Sequence, residues 1–267
     1  MEIEIRDRSG AIVYRTDAEG LREAVETAVR RGRRLDGAVL DGADLGGLDL
    51  EGASLKGASL VRTSFRNSNL EDARFAEADL TGAVLDGANL EDIDLERAVL
   101  VASSARGANL EEARLAEADL SRATFDGANL EEADLRDARM EGASLTRANL
   151  EKARLTGVKG AGVRLSRANL EKCDLRDADL EGADLSGANL ERSDLRAARL
   201  RDANLAGANV ERCDLRRADL SRANLSEANL ERCDIDGARL DGARLESANM
   251  DGVRGEPASG TTSGPYR

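Results

Sequence analysis

The chain contains no histidine. That removes the side chain most often used as a general acid or base, and it leaves zinc without one of its two usual ligand types. Tryptophan is absent as well, aromatic residues make up 2% of the chain, and the only prolines are Pro257 and Pro265. An interior built on aromatic packing is therefore excluded, and nothing before Pro257 interrupts a backbone hydrogen-bond ladder. No apolar run is long enough to span a membrane, and the opening MEIEIRDRSG is too charged for a secretory signal. These absences predict a soluble cytoplasmic protein.

What the chain does have is repetition. ANLE recurs at Ala108, Ala128, Ala148, Ala168, Ala188 and Ala228, and within each 20-residue period lie four units of five. Repeats decide architecture before any propensity does. From Leu35 to Met250 every fifth residue is a centre, 44 in all, of which 35 are Leu. Two residues earlier the position is Ala in 32 of 43 cases, and no insertion or deletion breaks the run.

A period of five fits neither a straight helix nor a straight strand. At ~100° per residue successive Leu would spiral around all sides of a helix. On a strand each Leu would face opposite to the last. Both objections vanish if the chain turns a corner in every unit. The centre and the residue two before it then face inward, the residue between faces out, and the two after the centre form the turn. Glycine agrees: 18 of the 20 Gly between Leu35 and Gly252 occupy the second turn position, where a corner can require positive φ. Four units make a square coil, and eleven coils stacked at ~4.8 Å predict a rod ~50 Å long.

The tandem A(D/N)LXX pattern, as in Ala118-Asp119-Leu120-Ser121-Arg122, resembles that of pentapeptide-repeat proteins over roughly residues 35–252. The resemblance implies an all-β fold, a right-handed quadrilateral parallel β-helix. Residues 1–34 lie outside the repeat and read as a ββα cap over the first coil. Strands are expected at Glu2–Arg6 and Ala11–Arg15, with Thr16 and Glu19 as a capping box and a helix to about Arg31. The repeat is expected over 35–253 and a flexible tail over 254–267. Units 101–105 and 156–160 break the pattern at Ala105 and Gly160, which leaves open a bulged wall or a loosened core.

For chemistry the sequence offers little. Stacked Leu leaves no concave pocket, glycine appears as isolated corners and not as a phosphate loop, and no catalytic, cofactor or metal residue is expected. Cys173, Cys213 and Cys233 fall at inward Ala positions and read as small buried apolar residues, neither metal ligands nor a disulfide. An amide column, Asn69, Asn89, Asn109, Asn129, Asn149, Asn169, Asn189, Asn209, Asn229 and Asn249, predicts a structural ladder that fixes register.

Charge is where function is sought. The net charge of −13 disfavours direct nucleic-acid binding and favours a basic partner. Residues 35–150 carry 24 Asp+Glu against 11 Lys+Arg, whereas residues 151–250 carry 19 against 18. One corner holds the contrast. The pairs Glu71-Asp72, Glu91-Asp92, Glu111-Glu112 and Glu131-Glu132 give way to Glu151-Lys152, Glu171-Lys172, Glu191-Arg192, Glu211-Arg212 and Glu231-Arg232. The eight acidic residues are the candidate partner-binding column, and a solubilising wall is the competing reading.

Two functions follow. The family resemblance implies a DNA mimic that binds DNA gyrase or topoisomerase IV, its carboxylates standing in for phosphates. The other is an interaction scaffold with an unrelated partner. A final coil without an evident cap also leaves open an end-to-end homodimer through the C-terminal coil.

Overall fold

The computed structural model describes residues 1–258. The chain divides into two compact units, Met1–Asp134 and Leu135–Arg267.

The first unit begins with strand β1 (Glu2–Arg6) antiparallel to β2 (Ile12–Asp17), followed by helix α1 (Leu21–Arg30). A register shift at Ile5/Arg6 turns the end of β1 toward the first repeat. There the Arg6 carbonyl accepts from the Val39 N–H at 2.8 Å and Asp7 bridges Ala38. Helix α1 buries Ala24, Val25 and Ala28. The expected capping box at Thr16 and Glu19 is not formed. Thr16 belongs to β2, the N-cap is Gly20 with no side-chain cap, and the Glu23 carboxylate reaches back to the Glu19 N–H at 2.7 Å. A carboxylate in the first turn also answers the positive end of the helix dipole, so Glu23 does by charge what Thr16 was expected to do by its hydroxyl. At the other end Gly32 takes φ +62° and the Arg33 N–H returns to the Ala28 carbonyl, a Schellman-type ending.

From residue 35 onward one local rule repeats in both units. The centre's carbonyl accepts from the N–H three residues on, as Leu50 does from Ala53 at 3.0 Å, which closes a β-turn. The third residue of that turn has positive φ at every corner from 37 to 252: 18 glycines and 26 other residues, the latter at φ 55–62°. The centre's N–H then points to the next coil, as from Leu50 to the Asn69 carbonyl at 2.8 Å. Parallel bridges join residues twenty apart, such as Asp49, Asn69 and Asn89 in the first unit and Asn169, Asn189 and Asn209 in the second. Each unit is therefore a parallel β-helix, its hydrogen bonds running between coils.

Most centres and the residues two before them face inward and are buried, whereas Ala43 near the start and Ala243, Leu245, Ala248 and Met250 near the end are half-buried. In the first unit Phe65 and Phe75 meet edge to face, ring centroids 5.6 Å apart. Several polar residues at inward positions meet their burial in the same way, by donating to the carbonyl 23 residues earlier. Thr63 does so to Leu40 at 2.8 Å and Ser68 to Leu45 at 3.0 Å. In the second unit Cys173, Ser193, Cys213 and Cys233 do the same to Leu150, Leu170, Leu190 and Val210. The three thiols are free and buried. Burial raises the pKa of all three, that of Cys233 to about 12.

Neither irregular unit bulges. The Ala105 N–H keeps its bond to the Thr124 carbonyl at 2.8 Å, although the buried Ser103 hydroxyl finds no partner. The Gly160 N–H bonds to the Asp179 carbonyl at 2.7 Å, and the missing side chain is replaced from nearby. A Cβ on Gly160 would stand 3.2 Å from Leu180 Cδ2 and 3.4 Å from Val163 Cγ1. Residues 254–258, expected to be part of a flexible tail, are instead bonded to the preceding coil. Arg254 bridges Asp234, the Glu256 carbonyl accepts from the Gly237 N–H, and the Ala258 N–H reaches Ala238. The remainder of the expected flexible segment, 259–267, lies outside the described residues.

Candidate acidic interface

In the first unit the two rows of the acidic corner differ in kind. Glu71, Glu91 and Glu111 are half-buried, and their carboxylates turn to the amide ladder. Asn89, Asn109 and Asn129 donate to Glu71, Glu91 and Glu111 at 3.1, 3.2 and 3.2 Å. The same Nδ2 atoms donate to the amide of the previous coil, Asn89 to Asn69 at 3.2 Å, Asn109 to Asn89 at 3.1 Å and Asn129 to Asn109 at 3.0 Å. Each of these amides thus bonds both to the amide of the previous coil and to a carboxylate of the first row. The second row, Asp72, Asp92, Glu112 and Glu132, is exposed at φ 55–57°, on the outermost residue of the turn. Asp72, Asp92 and Glu112 have no ion pair within 4 Å among the described residues.

Like charges one coil apart leave a mark. The Glu91 carboxyl is held above its ordinary pKa by partial burial, then by Glu71, Glu111 and Asp92, against the opposing bond from Asn109. The sequence reading missed the neighbours of this column. Arg74 and Arg114 border it, and a shallow groove of about 420 Å³ is lined by Gly52, Asp72, Arg74, Asp92, Asp94 and Arg114. They lie two residues before the next centre's corner, and in a straight reading of one corner nothing brings them in.

In the second unit the same corner is neutralised. The Asn ladder continues from Asn169 donating to Asn149 at 2.9 Å through Asn249 donating to Asn229 at 2.9 Å. Here the carboxylates face cations. Lys172 lies 3.2 Å from Glu151 and 2.8 Å from Glu171, and Arg212 lies 3.4 Å from Glu191 and 3.2 Å from Glu211.

Another wall of the second unit carries a second column of ion pairs. Arg176, Arg196 and Arg216 each grip the aspartate two residues earlier through Nε and Nη2, at 2.5–2.8 Å. Each guanidinium also faces the aspartate of the next coil, at 3.7, 3.5 and 3.9 Å. The Arg176 bond holds Asp174 at a pKa of about 2. Among the described residues no group of three or more His, Cys, Asp or Glu is placed to hold a metal ion, and no helix is long and apolar enough to cross a membrane.

Comparison with known proteins agrees with this geometry. A family model described as pentapeptide repeats matches in eight copies, at residues 34–72, 63–101, 93–131, 104–142, 123–159, 161–196, 198–237 and 213–252. Among solved structures, HetL, a pentapeptide repeat protein involved in heterocyst differentiation regulation from the cyanobacterium Nostoc sp. strain PCC 7120, is 33% identical. That match covers 89% of this chain and 98% of HetL with a TM-score of 0.64. Rfr23 from the cyanobacterium Cyanothece 51142 is 35% identical over 37% of this chain and 63% of its own, TM-score 0.30. QnrB1, a plasmid-mediated fluoroquinolone resistance protein, is 18% identical over 81% of this chain and 91% of its own, TM-score 0.37. No curated protein sequence matches.

Proposed function

This chain belongs to the pentapeptide-repeat family, whose fold is the right-handed β-helix, and we propose that it is a non-enzymatic DNA mimic. The partner is a type II topoisomerase, DNA gyrase or topoisomerase IV, whose cationic DNA-binding groove receives the acidic column. The observation that carries the reading is the double row of carboxylates in the first unit, Asp72, Asp92 and Glu112 exposed in front of Glu71, Glu91 and Glu111. Two carboxylates per coil at a rise of ~4.8 Å give one charge per ~2.4 Å. Duplex DNA presents one per ~1.7 Å of axis, so the two densities are of the same order. A fixed row of anions also costs less entropy to dock than a mobile one.

In this reading the protein acts in the cytoplasm as about eleven coils over 35–253, with β1, β2 and α1 covering the first coil. DNA supercoiling by gyrase and relaxation by topoisomerase IV, each measured across a titration of this protein, test it. A change in activity that DNA in excess reverses supports the mimic, and no effect on either enzyme removes it.

A second reading is a regulatory scaffold whose partner is unrelated to DNA. It is favoured by the likeness to HetL, a protein named for its part in regulating differentiation. The same titration separates the two.

A further inference from the structure

The hairpin of the first unit has one open edge. β1 continues into the first repeat through Arg6 and Asp7, whereas β2 pairs with β1 alone among the described residues. The Ala18 N–H donates to the Met1 carbonyl at 3.0 Å, and the Met1 amine to the Ala18 carbonyl at 3.2 Å. Bonded and non-bonded pairs alternate along an antiparallel ladder, so Ile3–Thr16 exchanges bonds while Glu2–Asp17 and Glu4–Arg15 do not. The N–H and C=O groups of Arg15 and Asp17 therefore point away from β1. Among the described residues they meet only the Thr16 hydroxyl, 3.4 Å from the Asp17 carbonyl.

Edges of this kind are commonly blunted by proline, by a bulge or by charge. β2 holds no proline, and the one register shift lies at Ile5/Arg6, away from Arg15 and Asp17. Arg15 folds back over the hairpin, its Nη2 2.5 Å from Glu4 and its Nη1 3.8 Å from Glu2. Asp17 is exposed, stands directly opposite Glu2, and has no cation within 4 Å among the described residues. Like charges opposite one another on a ladder are unfavourable, and a cation on the open side would relieve them.

The geometry points to a second copy of this chain as the occupant of this edge, β2 against β2 about a twofold axis through Thr16. In that antiparallel register Arg15 of each copy lies opposite Asp17 of the other, and Thr16 faces Thr16. Four main-chain bonds form, joining the N–H and C=O groups of Arg15 to those of Asp17 in both directions. Slipped by two residues one way, Arg15 would face Arg15; slipped the other way, Asp17 would face Asp17. Glu2, Glu4 and Arg6 lie one strand further in on the same face, so the row in contact is one cation and one carboxylate per copy. An extended peptide of another sequence would gain the main-chain bonds without the two ion pairs. The contact is isologous and makes a four-stranded sheet from two hairpins. A few residues a side bury less than the ~1,200–2,000 Å² of a stable interface, so the dimer is transient and concentration-dependent. It uses no residue of the acidic column and stands apart from the topoisomerase reading.

Sedimentation velocity over a concentration series tests this with the full chain and two variants, Arg15→Asp and Asp17→Arg. At ~0.15 M salt a Debye length of ~8 Å screens the long-range repulsion of two chains of net charge −13. The parent should dimerise as concentration rises, and each variant alone should associate about tenfold more weakly or less. Mixed in equal amounts, the variants restore both opposite-charge pairs and should combine as the parent does. A parent that stays monomeric up to about 1 mM, a variant that dimerises like the parent, or a mixture that does not combine overturns the proposal. Should a charge variant fail to fold, Thr16→Cys reads the same axis. Facing residues of a non-bonded pair have Cα atoms ~4.5 Å apart, within the ~4.4–6.8 Å that a disulfide spans. The three native thiols are buried, so oxidised glutathione should link Thr16→Cys into a covalent dimer and leave Arg22→Cys, on exposed α1 surface, monomeric. Absence of that link, or equal linking of Arg22→Cys, is again fatal.

Discussion

Asn109 holds Glu91: its Nδ2 lies 3.2 Å from Glu91 Oε2 and 3.1 Å from Asn89 Oδ1, so one amide serves both register and the posture of a carboxylate. The cost is visible on Glu91, whose pKa is raised by partial burial and by Glu71, Glu111 and Asp92. A carboxylate with a raised folded pKa destabilises the fold while charged, and the penalty fades as pH falls through the raised value and is gone below the unfolded one. Glu91→Gln should therefore raise the melting temperature at neutral pH, and the gain should vanish in acid. Asn109→Ala should do the reverse, costing about 1–2 kcal/mol for the lost bonds. Thermal melts at several pH values check both.

Asp174 behaves in the opposite sense. Its bond to Arg176 depresses its pKa to about 2, so the stability it contributes is present above the unfolded value near 3.8 and is lost as pH falls toward 2. Asp174→Asn should lower the melting temperature at neutral pH and make no difference near pH 2. Differential scanning calorimetry from acid to neutral pH is the measurement.

The corners supply a third test. Ala102 adopts φ 56° in an irregular unit, a region costing about 1–2 kcal/mol for a residue with a Cβ. Ala102→Gly should stabilise by about 1 kcal/mol, and Gly107→Ala, at φ 61° with open space around it, should destabilise by about as much. Denaturant midpoints of the two variants should move in opposite directions.

Burial of the thiols predicts slow chemistry. Cys173, Cys213 and Cys233 are buried, their pKa values pushed up, and each donates to a backbone carbonyl. A thiol reagent should label none of them quickly in native buffer and all three after unfolding, counted by mass spectrometry.

Much of this was legible before any coordinate. The five-residue spacing of Leu and the glycines after it place the inward faces and the turns, because a corner every fifth residue is the one arrangement that keeps every Leu inside. Where the reading failed, the cause was local. Thr16 looked like a cap because it precedes Glu19 by three, but β2 runs on through Asp17 and moves the helix start to Gly20. The gap at Gly160 could not be seen as filled, since Leu180, one coil away, does the filling. The amide column was read from the sequence as a register device. That Asn89 and Asn109 also bind Glu71 and Glu91 follows from an 18-residue offset between neighbouring coils, which a single corner does not reveal. Twenty-six residues other than glycine stand at positive φ, so glycine marks the corner without being required by it.

The central claim is that the acidic column of the first unit receives a cationic DNA-binding groove. The direct test is the affinity of the parent and of one variant, Asp72→Lys, Asp92→Lys, Glu112→Lys and Glu132→Lys, for DNA gyrase and topoisomerase IV across a salt series. The fold tolerates long cations at this corner, since Lys152, Lys172, Arg192, Arg212 and Arg232 occupy the same turn position at φ 59–61°. Exposed charges are screened over ~8 to 10 Å at moderate salt. Parent binding should fall steeply as salt rises and compete with DNA, and the variant, folded by circular dichroism, should not bind. A folded variant that binds as tightly as the parent, or a parent that binds neither enzyme at low salt, would contradict the account.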